Sequence, residues 1–465
     1  METVDVVIVG AGLAGLSAAA ELTNTGLAGT GFAGTGPGAV SDASGASGGL
    51  GVLVLESSDD VGGRVRTDEV DGFLLDRGFQ VLLPSYPEIR RQVDLPALQP
   101  RSFPRSVLLR DGVRSVLLGD PLQDVAALGG LLPGRALGAF DLAKLAATSA
   151  RDLLARPESI IAGPERTTHA ELLAAGLSPG AVERVLAPFL RGVFLEGDLD
   201  TSSRFFHLVW RCFLRAAPVL PARGMAELPR HLAARLPPGT IRFGQEVVEI
   251  ADAPGPNGPS TAGLTEVRLA GGGVVRARAV VVATDGEVAA RLLPGLRAPN
   301  WHGVTTWYFS APAPPMRGGA LVLDARASPG PVVNTVVLSA VAPEYAPAGA
   351  DLVAASVLGA GSGGVSGSSG TSGVAGGAGG AVDESTVRRQ LSLLYGAETA
   401  DWVTLARVDV PRALPAMPSP HPLRRPVRHS PGRYVCGDHR DTSSIQGALF
   451  SGRRAAEAVR RDLTS

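Results

Sequence analysis

Three glycines at positions 10, 12 and 15 interrupt the stretch VDVVIVGAGLAGLSAAAEL, Val4 to Leu22, between an apolar run and a run of small residues. This spacing suits a pyrophosphate. Gly10 permits a sharp turn, Gly12 lets the backbone approach an anion closely, and Gly15 lets the following helix pack against its strand. The amides of Leu13 and Ala14 open that helix and face the same anion. Three spaced glycines alone mean little, but here a Val/Ile strand precedes them and a helix follows, as the chemistry requires. Dinucleotide binding is the reading, with NAD and FAD both open. Glu56 then ends the next apolar run, Val52 to Leu55, where a carboxylate can accept hydrogen bonds from ribose hydroxyls.

The rest of the composition must supply elements that hold these groups. A chain of 465 residues exceeds one typical core, so two domains are expected, interleaved in sequence. The formal net charge is −1 and the basic residues are dispersed, which gives no electrostatic footprint for nucleic acid. The only cysteines, Cys212 and Cys436, lie in apolar segments and offer neither a disulfide framework nor a metal cluster. The N-terminal apolar run lacks a basic leader, and no later run approaches about 18 uninterrupted apolar residues. The expectation is a cytoplasmic protein with at most peripheral membrane contact. Its oligomeric state stays open.

In chain order, residues 25–51 form a Gly/Ala/Ser/Thr tract without hydrophobic period, expected to be a flexible insertion that delays the second strand. SSDDVGGRVRT follows, with Gly62 and Gly63 allowing close backbone approach and Arg64 placed to reach a phosphate. A leucine- and alanine-rich region to about Ala216 reads as helical. Thr168 and Glu171 form a capping-box pattern, Ser178 and Pro179 a second helix start, and Asp141 to Leu154 a helix-like spacing. In SSRFFHLVWRCFLR, Phe205, Phe206, Trp210 and Phe213 suit either a core or an apolar ligand cavity, with core packing favoured; His207 reads as a structural histidine. Glu266 to Arg278 reads as a hairpin around three glycines and Ala279 to Thr284 as a buried strand. Period-two segments between Trp301 and Leu358 imply a mixed sheet. A second Gly/Ser tract, 359–380, is taken as a loop, after which Asp383 caps a helix whose Val387, Leu391 and Leu394 share a face.

The glycine fingerprint, the acid at 56, GGRVRT and GFLLDRGFQ together resemble the N-terminal signature of the flavin-containing amine oxidoreductase superfamily, which includes amine oxidases, protoporphyrinogen oxidases, and carotenoid desaturases and isomerases. GRYVCGDHRDTSSIQGALFSGRRAAEAV, Gly432 to Val459, resembles its closing motif. The resemblance implies a non-covalently bound FAD. Gly63 and Arg64 would lie along its pyrophosphate, and Asp76, Gly78 and Phe79 would run toward the flavin ring. The Val247 backbone would touch adenine. Asp438, after Gly437, would accept from ribityl hydroxyls, with Gln446, Gly447 and Ala448 at a helix start that stabilises negative charge on the reduced flavin. The implied fold is α/β: a Rossmann-like FAD-binding domain discontinuous in sequence, with an interleaved α+β substrate domain. The expected segments are 1–95, 217–300 and 405–465 for the first and 96–216 and 301–404 for the second.

With FAD, the simplest chemistry is hydride transfer to flavin N5 from an oriented small apolar substrate, and the sequence names no catalytic residue. Many amine oxidases of this superfamily place a lysine near N5. Lys144, the single lysine, lies in a helical segment ahead of the sheet region where such a lysine belongs. The leading expectation is therefore dehydrogenation or isomerisation of an isoprenoid- or tetrapyrrole-like compound. An amine oxidase without the lysine, and a non-catalytic lipid chaperone of the GDP-dissociation-inhibitor type, are the alternatives.

Overall fold

The computed structural model describes residues 2–23, 50–112, 114–119, 136–253, 263–359 and 382–464; the two Gly/Ser tracts expected at 25–51 and 359–380 lie almost wholly outside them. Two sheets organise the described chain. The first has eight strands. Its centre is parallel: Arg433–Val435, Val274–Val282, Glu2–Val9, Val52–Leu55 and Ile241–Arg242 lie side by side in that order. The expected hairpin, Thr265–Leu269 turning at Gly272 into Val274–Val282, adds antiparallel strands at one edge, with Val247–Asp252 outermost. A parallel strand covered on both faces should read as unbroken apolar sequence, and Val6, Val7, Ile8 and Val280 to Val282 are all buried.

The opening helix, Leu13–Leu22, is buried along almost its whole length because the closing helix, Ile445–Thr464, lies across it. Small residues make this contact close. A Cβ on Gly452 would fall 2.2 Å from the Ala14 carbonyl oxygen, and Ser17 Oγ donates to the Leu449 carbonyl at 2.8 Å. The two ends of the described chain therefore share one core.

The second sheet has seven strands in the order Val403–Pro415, Trp301–Ala311, Asp351–Leu358, Val332–Val337, Leu321–Asp324, Ser106–Arg110 and Ser115–Gly119. Only Leu321–Asp324 and Ser106–Arg110 pair in parallel, so the sheet is mixed as the period-two pattern predicts. Val403–Pro415 belongs here, so this strand runs across the boundary expected at 405. Thirteen residues of mostly half-buried character fit a sheet edge, and nothing within that strand marks a domain change.

Helices from Ala139 to Arg215 form a separate layer around Leu172, Leu190, Phe194, Phe205 and Phe206. Phe205 and Phe206 are buried core, as favoured. One cap shifts: Thr167, not Thr168, accepts the amide of Ala170, while the Thr168 hydroxyl donates to the Thr201 carbonyl. Glu171 turns away from the helix start to His207 and Arg166, so no capping box closes. Ser178 and Asp383 cap as read.

Candidate FAD site

The carboxyl ends of the parallel strands converge on the glycine loop, the position where open α/β sheets bind ligands. Gly10 has φ +102°, and a Cβ there would meet the Ala283 carbonyl oxygen at 3.1 Å. Gly15 admits no side chain at all, since its Cβ would lie 2.0 Å from the Gly10 carbonyl oxygen. Gly12 differs. Its φ is an ordinary −72°, and the nearest atom to a Cβ there would be the Gly62 carbonyl oxygen, 4.0 Å away. What Gly12 leaves clear is open space rather than protein. Gly63, whose Cβ would approach only the Gly12 Cα at 3.8 Å, faces it from the second loop. The two loops are tied by Gly62 N donating to the Ala11 carbonyl at 2.9 Å. They form a cradle with open space beside both glycines.

Glu56 organises the same corner. One carboxylate oxygen accepts from Ala11 N at 2.6 Å and the other from Ser58 N and Ser58 Oγ. It is buried and aligned at the end of its strand beside Leu13 and Ala14, which are buried too. Val247 is also buried, at the register break between Val247 and Glu249 in the edge hairpin.

Arg64 and Asp438 meet. Arg64 donates to an Asp438 carboxylate oxygen at 2.7 Å and to the Ala413 carbonyl at 2.6 Å, and its guanidinium lies 5.5 Å from the centre of the Trp301 ring. Asp438 therefore sits buried beside a fixed cation, behind Gly437, whose φ is +146° and whose N–H and carbonyl both bond the Ser451 hydroxyl. At the closing helix, a Cβ on Gly447 would collide with the Thr442 carbonyl oxygen at 1.8 Å, so glycine is required for the loop to turn into the helix. Gln446 points elsewhere: its side-chain oxygen accepts the Glu88 amide at 2.9 Å. Ala448 donates its amide to the Ser444 carbonyl within the first turn.

Gly78 and Phe79 lie against the second sheet. Gly78 packs near Val304 and Val410, and Phe79 N donates to Thr306 Oγ1 at 3.2 Å. Asp76, just before them and expected to run toward the flavin ring, has its carboxylate taken up by protein donors and is a junction between elements. Its carboxylate accepts from Thr67 Oγ1, Met225 N and Tyr345 Oη, and its carbonyl accepts from Tyr308 Oη at 2.7 Å. Burial pushes its pKa up to about 6 against those bonds. Thr67 and Met225 belong to the cofactor side, Tyr308 to a strand of the second sheet and Tyr345 to the short turn Pro343–Tyr345 between two of its strands, so one carboxyl group fixes how the two layers meet.

Three buried polar groups around Asp438 have no protein partner: both nitrogens of His439, Nε1 of Trp301 and Oγ of Ser443. A buried polar group left unpaired costs stability, and in a ligand seat the ligand supplies the bond. Together with the open cradle at Gly12 and Gly63, these groups fit a polyhydroxylated dinucleotide. Sequence reading missed all three. His439 had a signal, being the residue next to Asp438, whereas Trp301 and Ser443 have none until the fold brings them there.

Lys144 sits on the helix Ala139–Leu154 with its ammonium 5.1 Å from the Phe140 ring centre and its stem against Gly176. Cys212 and Cys436 are free thiols, and burial pushes Cys436 up to about 12. Among the described residues no group of His, Cys, Asp and Glu could hold a metal ion, and no helix is long and apolar enough to cross a membrane.

The family described as flavin containing amine oxidoreductase matches residues 13–460. No curated protein is significantly similar to the chain. Among solved structures, a provisionally named protoporphyrinogen oxidase from Exiguobacterium sp. 255-15 superposes with a TM-score of 0.66 at 17% identity, covering 100% of this chain and 99% of that one. Cyclohexylamine oxidase from Brevibacterium oxydans IH-35A gives 0.67 at 17% identity over 99% and 100%. Putrescine oxidase bound to putrescine gives 0.65 at 16% identity over 99% of each chain. At such identities the likeness speaks for the fold.

Proposed function

This chain belongs to the flavin-containing amine oxidoreductase family and is an FAD-dependent oxidoreductase, and from that premise we propose that it dehydrogenates or isomerises an apolar substrate of isoprenoid or tetrapyrrole character. FAD, when bound, supplies a hydride acceptor at N5. The chain's own residues hold and orient it. The glycine loop and Gly63 would take the pyrophosphate, Glu56 the adenosine ribose, and Asp438, steadied by Arg64, the ribityl hydroxyls.

The observation that carries the substrate class is the seating of Lys144 against Phe140 and Gly176 on the helix Ala139–Leu154; a narrow seam with room for about one water, where the helical layer meets the second sheet, is in keeping with it. Phe194, Phe205, Leu414, Pro415 and Met417 line the seam, with Thr201, His302 and Ser443 as its polar groups. Burial pushes His302 below the usual histidine value, so it stands neutral at pH 7. Glu196 lies behind it, engaged by Thr201 N at 2.8 Å and by His302 at 3.7 Å. The seam's lining carries no acidic side chain, whereas an ammonium group needs an exposed carboxylate or an aromatic cage to replace its water.

The test is anaerobic reduction of the bound flavin by a carotenoid precursor, a porphyrinogen, and a panel of primary and secondary amines, followed by flavin absorbance. Bleaching by one of the first two but not by the amines is expected. Bleaching by amines alone would make the protein an amine oxidase. A flavin that none of these compounds reduces, together with no isomerised product by chromatography, would favour the chaperone alternative.

A further inference from the structure

His439 is buried at 4% exposure, and neither imidazole nitrogen has a protein partner. Its ring is wedged where only glycines leave room: a Cβ on Gly437 would lie 2.6 Å from its Nδ1 and Cε1, and one on Gly286 would lie 3.5 Å from its Cγ. Gly437 follows the strand Arg433–Val435, and Gly286 follows the strand Val274–Val282. The ring thus stands at the carboxyl edge of the parallel sheet. There the Ala283 carbonyl abuts Gly10 and the Thr284 carbonyl abuts Gly437.

The charges facing it are unbalanced. Arg64, Arg425 and Arg440 all act on the imidazole, and the acid acting with them is Asp438, already bonded to Arg64. Arg440 gives its guanidinium to the Pro426 carbonyl, which carries no net charge. Nearby, Asp441 is bonded to Thr442 N and Arg454. Asp285 caps its own helix and pairs with Arg412 at 3.5 Å. This edge of the sheet is short of negative charge, and a pyrophosphate supplies it.

Resting on the FAD reading above, we propose that His439 is a phosphate anchor for the cofactor, neutral in the apoprotein and protonated once the pyrophosphate enters, so that FAD binding takes up a proton. Burial first, and then Arg440, Arg64 and Arg425, hold the imidazole low, at about 4, which keeps it neutral without the anion. An adjacent phosphate favours the charged form and raises its pKa. By linkage, affinity is then fully developed at low pH and falls as pH rises through the raised value of the complex.

The experiment titrates apoprotein with FAD, read by quenching of flavin fluorescence, across a pH series. Calorimetry at one pH in two buffers of different ionisation enthalpy counts protons. Wild-type protein should take up a fraction of a proton per FAD near neutral pH and bind more weakly as pH rises. His439→Gln should abolish that uptake, flatten the pH dependence and weaken binding roughly tenfold through loss of a charge-assisted bond. FAD bound by wild type with no proton uptake, or uptake that persists in His439→Gln, overturns the proposal and leaves the FAD reading standing. The wild-type measurement decides even if the variant does not fold. No FAD binding by wild type overturns both.

Discussion

Arg64 and Asp438 are 374 residues apart in the chain and 2.7 Å apart in space. The first follows the paired glycines of the cofactor's N-terminal loop and the second opens the turn before the closing helix, so one ion pair joins the two cofactor signatures. Asp438→Ala removes both the ribityl acceptor and the counter-charge of Arg64. FAD binding should weaken by about 1 to 3 kcal/mol, the usual cost of deleting a buried acceptor. Unchanged affinity in a fluorescence titration would show that Asp438 does not face the cofactor.

Gly12 and Gly15 should separate binding from folding. Gly15→Ala drives a methyl group into the Gly10 carbonyl and should lower the melting temperature of the apoprotein outright. Gly12→Ala meets no protein atom closer than 4.0 Å and keeps a normal φ. Its apoprotein should melt within a few degrees of wild type while FAD retention on purification is lost. Equal melting losses in both variants would refute a cradle that is empty of protein.

Asp76 makes a prediction about acid. Its folded pKa of about 6 is raised above the ordinary 3.8, chiefly by burial, so ionisation works against the fold. The stability linked to this group is fully present below about pH 4 and falls as pH rises through 6, by on the order of 3 kcal/mol in all. Asp76→Asn keeps an acceptor for Thr67 and Met225 without the charge. The variant should gain on wild type in melting temperature as pH is raised from 4 to 8, and a constant difference across that range would contradict the assignment. Asp76→Ala should lose stability at every pH, having left three donors without an acceptor.

His207 shares this pH sense for a different reason, since its charged form is the stabilised one. Burial pushes its pKa down, but bonds to Asp152 at 2.7 Å and Glu171 at 3.2 Å outweigh this, and the pKa is raised. Its stabilisation is complete below the unfolded value and is lost as pH rises through the raised folded value. Chemical denaturation of His207→Gln should show its largest deficit near pH 6, about 1 to 3 kcal/mol, and a shrinking one under alkaline conditions.

The parts of the fold that could be read in advance are those set by near neighbours in sequence. The glycine loop, the buried strand Ala279 to Thr284, the hairpin turning at Gly272 and the Asp383 cap each depend on local spacing or backbone geometry. What escaped was fixed by distant partners. Nothing in GFLLDRGFQ announces that Tyr308 and Tyr345 will close on Asp76, and Arg64 shows its attachment to Asp438 only once both strand ends are in place. The cap at Thr167 was missed by one position because adjacent threonines offer the same chemistry, and the Thr201 carbonyl claims the second. The strand Val403–Pro415 crosses the expected boundary because its partner, Trp301–Ala311, lies about a hundred residues earlier.

The strand order of the first sheet has a consequence for synthesis. Glu2–Val9 and Val274–Val282 can pair early, but the neighbour Arg433–Val435 and the turn carrying Asp438 leave the ribosome among the last residues described. Until then the end of Val274–Val282 is an open edge, and the glycine loop faces a half-built wall. With Gly437 and Asp438 missing, the seat proposed for FAD is incomplete, so loading is expected to follow translation of this region, and a message truncated ahead of Gly437 should yield a chain that carries the phosphate loop yet offers chaperones an unfinished sheet.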